Sequence, residues 1–149
     1  MNRMTPAHPR PGTRGGFRRG ASILEMALTL AILLNLTFGT IEFGYFFFVK
    51  NTVQGAAREG ARAAITPSGS NADVTAAVNA ALQAAGLRAA DFTTTVKVNG
   101  TVADAGNATA GQSVEVSVQA TWGSVGLRPL GLIGAEKPVL GAAAMRKEG

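Results

Sequence analysis

The chain has no cysteine and one histidine, His8. Without thiols there is neither a disulfide framework nor a thiolate metal site, and a lone imidazole in a proline- and arginine-rich tail reads as a solvated side chain. Acidic residues are absent before Ala21. Five of the 14 basic residues stand there (Arg3, Arg10, Arg14, Arg18, Arg19), and the basic residues that follow are matched by the nine acids of the chain. The formal charge of +5 therefore belongs to the leader. "RGG" and "RRG" come with no nucleic-acid-binding fold signature, so no nucleic acid partner is expected. No GxSxG-type or phosphate-cradling loop is present, the glycines of "PLGLIG" lack a strand-then-helix context, and Asp73, Asp91, Asp104 and Glu115 are dispersed among turns and strand faces. These absences argue against an enzyme, and no cofactor or metal is expected. At 149 residues there is room for one modest domain plus an anchor.

What is present is a long apolar run. Residues 23–49 are apolar apart from Glu25, Thr29, Asn35, Thr37, Thr40, Glu42 and scattered glycine and tyrosine. About 20 apolar residues cross a bilayer as a helix, and the run is too long for the roughly 7–15-residue core of a secretory signal. It predicts a single transmembrane helix. The arginines precede it, which places the N-terminus in the cytoplasm and the bulk of the chain beyond the membrane. Residues 1–20, rich in proline, glycine and arginine and without apolar periodicity, read as a disordered leader.

Helical register continues through "NTVQGAAREGARAAI" (residues 51–65). Lys50, Gln54, Arg58 and Arg62 form a polar stripe and Ala56, Gly60 and Ala64 a small-residue stripe. The stripe suits either close helix packing or a solvated, alanine-rich extension carrying a Glu59–Arg62 pair; the second reading is preferred. Pro67, Ser68 and Gly69 end the helix. Residues 67–149 then predict a small extracytoplasmic α+β domain. Ser70 and Asp73 have capping-box spacing ahead of Val74, Val78, Leu82 and Ala85, and Gly86 closes this short helix. Phe92, Thr94, Val96 and Val98 alternate with polar residues up to an Asn99-Gly100 turn, and Val114, Val116, Val118 and Ala120 mark a second strand. "PVLGAAAMRKE" supplies a third, for an antiparallel sheet of about three strands. "WGSVGLRPLGLIG" (residues 122–134) reads as an apolar loop lying against the domain, the bilayer or a partner.

Glu25 is the anomaly of the apolar run. A carboxylate inside a membrane helix is costly unless something neutralises it. Cleavage after Gly20 would create an amine at Ala21 and make Glu25 the fifth residue of the mature chain. Its own amine would then lie about 6 Å away along the axis, and a staggered neighbour's amine becomes its natural partner. Glu42, about 25 Å beyond Glu25 on a straight helix, falls near the outer membrane boundary. It calls for Lys50, a basic residue of another subunit, or snorkelling.

"RRGASILEMAL" resembles the prepilin processing site of type IV pilins, and "FGTIEFG" followed by "NTVQGAAREGARAA" is similar to the N-terminal segment of TadE-like proteins, minor pilins or pseudopilins of tight-adherence (Flp) pilus systems. The resemblance spans residues 18–64, and "PVLGAAAMRKE" resembles the terminal strand of that family. It implies processing by a prepilin peptidase between Gly20 and Ala21, and subunit pairing through Glu25 and Glu42. It also implies a bacterial inner-membrane location with the C-terminal domain periplasmic, and partnership with other pilins, inner-membrane assembly proteins and membrane lipid during pilus assembly. The alternative is an unprocessed single-pass anchor carrying a periplasmic binding module.

Overall fold

The computed structural model describes residues 16–148, with side-chain surroundings from residue 20 onward. The expected leader, residues 1–20, lies mostly outside the described residues; its last five are the start of helix α1 (Gly16–Ile65). The remaining elements are helix α2 (Asn71–Ala84), strand β1 (Thr93–Val98), strand β2 (Thr101–Val102), strand β3 (Ser113–Thr121), the one-turn helix α3 (Trp122–Val125) and strand β4 (Pro138–Arg146), with single 3₁₀ turns at Ala89–Asp91 and Ala105–Asn107. The class is α+β, as the sequence indicates. The chain divides into two units, Met1–Thr37 and Phe38–Gly149.

In the first unit, every residue from 20 to 37 is exposed around the whole circumference of the helix. A helix apolar on all sides with nothing among the described residues packed on it fits lipid rather than water, and it is long and apolar enough to serve as a single-pass anchor.

The second unit is a four-stranded antiparallel sheet of order β2-β1-β3-β4, packed on one face by α2 and by the C-terminal part of α1. Four strands stand where the sequence predicts about three. The additional strand is β2, the return arm of the Asn99-Gly100 turn, whose two residues are too few to produce an alternating pattern. Both turn residues have positive φ, 48° and 84°, as a type I′ turn requires. Alternation along β3 sends Val114, Val116 and Val118 into the core beside Val96 of β1 and Val139 of β4.

The small-residue stripe of α1 is where the sheet and α2 dock. Ala56, Gly60 and Ala64 are buried against the domain of the same chain, so the preferred solvated reading is corrected. A Cβ at Gly60 would come within 2.7 Å of Val78 in α2 and 3.1 Å of Val116 in β3. Glu59 and Arg62 are both exposed and form no ion pair with each other; the ion pair found among the described residues is Arg88–Asp91. The polar stripe also has a packing role at one point. Gln54 donates to the Ala142 carbonyl at 2.7 Å and accepts from its N–H at 3.4 Å, so a side-chain amide pairs with edge strand β4 where a neighbouring strand would otherwise fit. The end of α1 is closed by Lys147, whose buried ammonium donates to the carbonyls of Ala64 (3.0 Å) and Ala105 (3.4 Å). A cation there satisfies a free carbonyl and complements the negative end of the helix dipole.

Helix α2 is capped at both ends as its sequence predicts. Ser70 and Asp73 form the reciprocal capping box. Gly86, at φ 77°, donates to Gln83 and Leu87 donates to Leu82, which makes a Schellman closure. The Ser70 hydroxyl, donating to the Asp73 carboxylate, and the Ser70 main-chain N–H hold the Asp73 pKa below the ordinary aspartate value. A depressed folded pKa stabilises above the ordinary carboxylate range and is lost as pH falls through it. Ser70→Ala removes the capping box and is expected to lower the thermal unfolding temperature at neutral pH, and the difference from wild type should narrow in acid.

Candidate functional site

Within the apolar run of α1, five polar residues fall into three groups with different physical settings. Thr29, Asn35 and Thr37 donate to the carbonyls of Glu25, Ala31 and Leu33, each four residues earlier, at 2.8–2.9 Å. Such back-bonding lets a hydroxyl or amide lie in an apolar environment without an unsatisfied donor. These residues are thus compatible with lipid and need no other partner.

Glu25 belongs to the second group. It is exposed on a helix face shared with Ser22, Met26, Thr29, Leu30 and Leu33, and its carboxylate has no partner among the described residues. Gly20 and Ala21 are likewise exposed within α1, and nothing lies within 4 Å of where a Gly20 Cβ would be.

Glu42 is the opposite case. Its side chain is fully buried, and its carboxylate accepts hydrogen bonds from the main-chain N–H groups of Ile133 (2.8 Å) and Leu130 (3.2 Å). Lys50, the in-chain cation first considered, is exposed on the helix surface. The group that meets Glu42 is instead the loop 127–134 of the same chain, and the carboxylate does not snorkel toward water. The loop can bend two amides three residues apart onto one carboxylate because Gly131 adopts φ 65°, which other residues reach only with strain. On the helix side, Leu132 packs over Gly39, its Cδ1 3.4 Å from where a Cβ would stand. "FGTIEFG" and "PLGLIG" are thus two halves of one contact.

An aromatic cluster supports this contact from the domain side. Trp122, fully buried at the end of β3, meets Phe46 edge-on at 5.1 Å between ring centres and Tyr45 at 6.0 Å. Its indole N–H is buried without a partner among the described residues, so the ring is held by packing alone. In the sequence Trp122 stands at the start of an apolar loop, and the signal for its role is that it is the chain's single tryptophan. Among the described residues no group of three or more His, Asp and Glu side chains comes together as a metal site.

Residues 20–62 match the family model described as TadE-like protein. The match covers less than a third of the chain and includes Gly20, Ala21, Glu25, Glu42 and the small-residue stripe. It supports association with the Tad pilus, in a structural rather than an enzymatic family. No curated protein and no solved structure matches the chain.

Proposed function

We propose that this protein is a TadE-like minor pilin or pseudopilin. It is anchored in the bacterial inner membrane by α1, cleaved between Gly20 and Ala21 by a prepilin peptidase, and paired with neighbouring pilins through Glu25 during assembly of a Flp-type pilus. The observation that carries the reading is the contrast between the two carboxylates of the apolar helix. Glu42 is satisfied within its own fold, whereas Glu25 has no partner among the described residues. An unpaired carboxylate on a lipid-compatible helix is costly unless it is neutralised, and a charge supplied from outside does this. Cleavage after Gly20 generates such a charge, the Ala21 amine of an adjacent subunit. Glu42, whose oxygens are engaged within the chain, is thereby freed from the intersubunit role and given to positioning the domain on its helix.

The test is a Glu25→Gln strain in the native host, read by intact mass and by piliation. Wild-type protein should begin at Ala21. The variant should insert and accumulate normally but leave the cells without pili, because the amide cannot pair with a neighbour's ammonium. A wild-type mass that includes Met1 in cells with active pilus machinery would overturn processing. Normal piliation by the variant would overturn pairing and favour an unprocessed anchor carrying a binding domain.

A further inference from the structure

Loop 127–134 presents a surface that the pilin reading leaves unused. We propose that it is a membrane-surface foot, whose Leu127, Leu130 and Leu132 enter the outer interface of the bilayer spanned by α1 while Arg128 meets the lipid phosphates. The inference rests on the anchored reading above and adds a lipid contact made by the domain itself.

Three observations point to lipid as the occupant. The first is length. Residues 20–37, exposed on all sides, extend about 27 Å as a helix, close to the roughly 30 Å of a hydrocarbon core. That stretch ends two residues before Gly39, the point on α1 against which Leu132 packs. The loop therefore meets α1 where the chain leaves the hydrocarbon.

The second is the apolar character of the loop. Leu127, Leu130 and Leu132 are 52%, 37% and 56% exposed, whereas Ile133 turns inward. Leu132 and Ile133 share a groove with Phe43 and Phe47, both exposed, so the leucines extend the apolar surface of that part of α1 within the second unit. A patch that continues a lipid-facing helix is most simply covered by the same lipid.

The third is the placement of charge. Between residues 122 and 135 the sequence has one charged residue, Arg128, and no acid. The nearby acid, Glu42, directs its oxygens onto the amides of Leu130 and Ile133. Within residues 122–135 no carboxylate then faces anionic headgroups, the exposed Glu136 beyond them being followed directly by Lys137, and two main-chain donors that would be costly in a water-poor interface are satisfied.

Because the chain has no cysteine, single sites can be labelled directly. The full-length protein is reconstituted in phosphatidylcholine–phosphatidylglycerol vesicles with an environment-sensitive fluorophore at Leu132→Cys. Leu127→Cys provides a second loop position should the first variant not fold. Leu30→Cys serves as the mid-helix reference and Thr101→Cys, in β2, as the solvent reference. Quenching is compared for aqueous iodide and for lipids carrying a nitroxide near the headgroup or deep in the chain. The expected result is a loop label quenched by the headgroup nitroxide and shielded from iodide, with the Leu30 label quenched by the deep nitroxide. A Leu30 label open to iodide would overturn the anchored reading, and the foot with it. A deep Leu30 label beside a loop label as open to iodide as that at Thr101 would overturn the foot alone. A loop label shielded from both quenchers would also overturn it, showing a second protein copy as the cover.

Discussion

Gly141→Val should destabilise the α+β domain by about 3 kcal/mol or more, the upper end of what overpacking costs. In β4 this glycine faces α1, and a Cβ would lie 2.6 Å from the Val53 carbonyl carbon, the Val53 oxygen and the Gln54 nitrogen. All three are main-chain atoms of a helix, so no rotamer change relieves the overlap. Either β4 moves away from α1 or the helix bends. Movement of β4 would also strain the Gln54 bonds to Ala142 one residue on. Since whole domains are stable by only about 5–15 kcal/mol, the loss is large. Thermal unfolding of the full chain in detergent micelles, followed by circular dichroism, measures it. Gly55→Ala is the control, because it also lies in α1 but its Cβ would meet nothing within 4 Å. There the gain in helix propensity, about 1 kcal/mol, should leave stability unchanged or raised.

Glu42→Leu should release the loop 127–134 from α1 without unfolding the sheet. Leucine fills comparable space but accepts no hydrogen bond, so the Leu130 and Ile133 amides are left without their partner. Hydrogen exchange at those two amides is expected to quicken on the order of tenfold or more, as for any buried donor that loses its acceptor. The valine amides of β3 should change little. Glu42→Gln should fall between leucine and wild type. Its carbonyl can keep one bond, but its NH₂ then faces the other amide, donor against donor. The measurement is made on isolated protein in micelles, where no other subunit is present. If both variants exchange like wild type there, the loop is not held by Glu42, and the carboxylate must be sought as an intersubunit partner after all.

The alternating valines of β3, the Asn-Gly turn, the capping box of α2 and Gly86 were all legible in the sequence. Each is a local rule: the period of a strand, the sign of φ in a tight turn, or the reach of a side chain to an amide three residues away. The apolar run was legible for the same reason, since hydropathy over 20 residues needs no knowledge of neighbours. Contacts between segments distant in sequence were not. That Ala56, Gly60 and Ala64 pack on the chain's own domain depends on Val78 and Val116, which arrive from α2 and β3. That Lys147 closes α1 depends on β4 bringing the C-terminus beside Ala64.

The two carboxylates show the division most clearly. The sequence by itself determined that both Glu25 and Glu42 stand in an apolar helix and that each needs a partner, because the cost of an unpaired carboxylate in a water-poor setting follows from residue type and hydropathy alone. Only the tertiary structure decided between them. It folds a loop almost 90 residues away in sequence over Glu42 and supplies two main-chain donors, and no pattern in side-chain identity encodes that service because every non-proline residue carries the same N–H. Glu25 lies in the exposed stretch of helix, where no such donor reaches its carboxylate among the described residues, and the pairing proposed above supplies a partner from a neighbouring subunit.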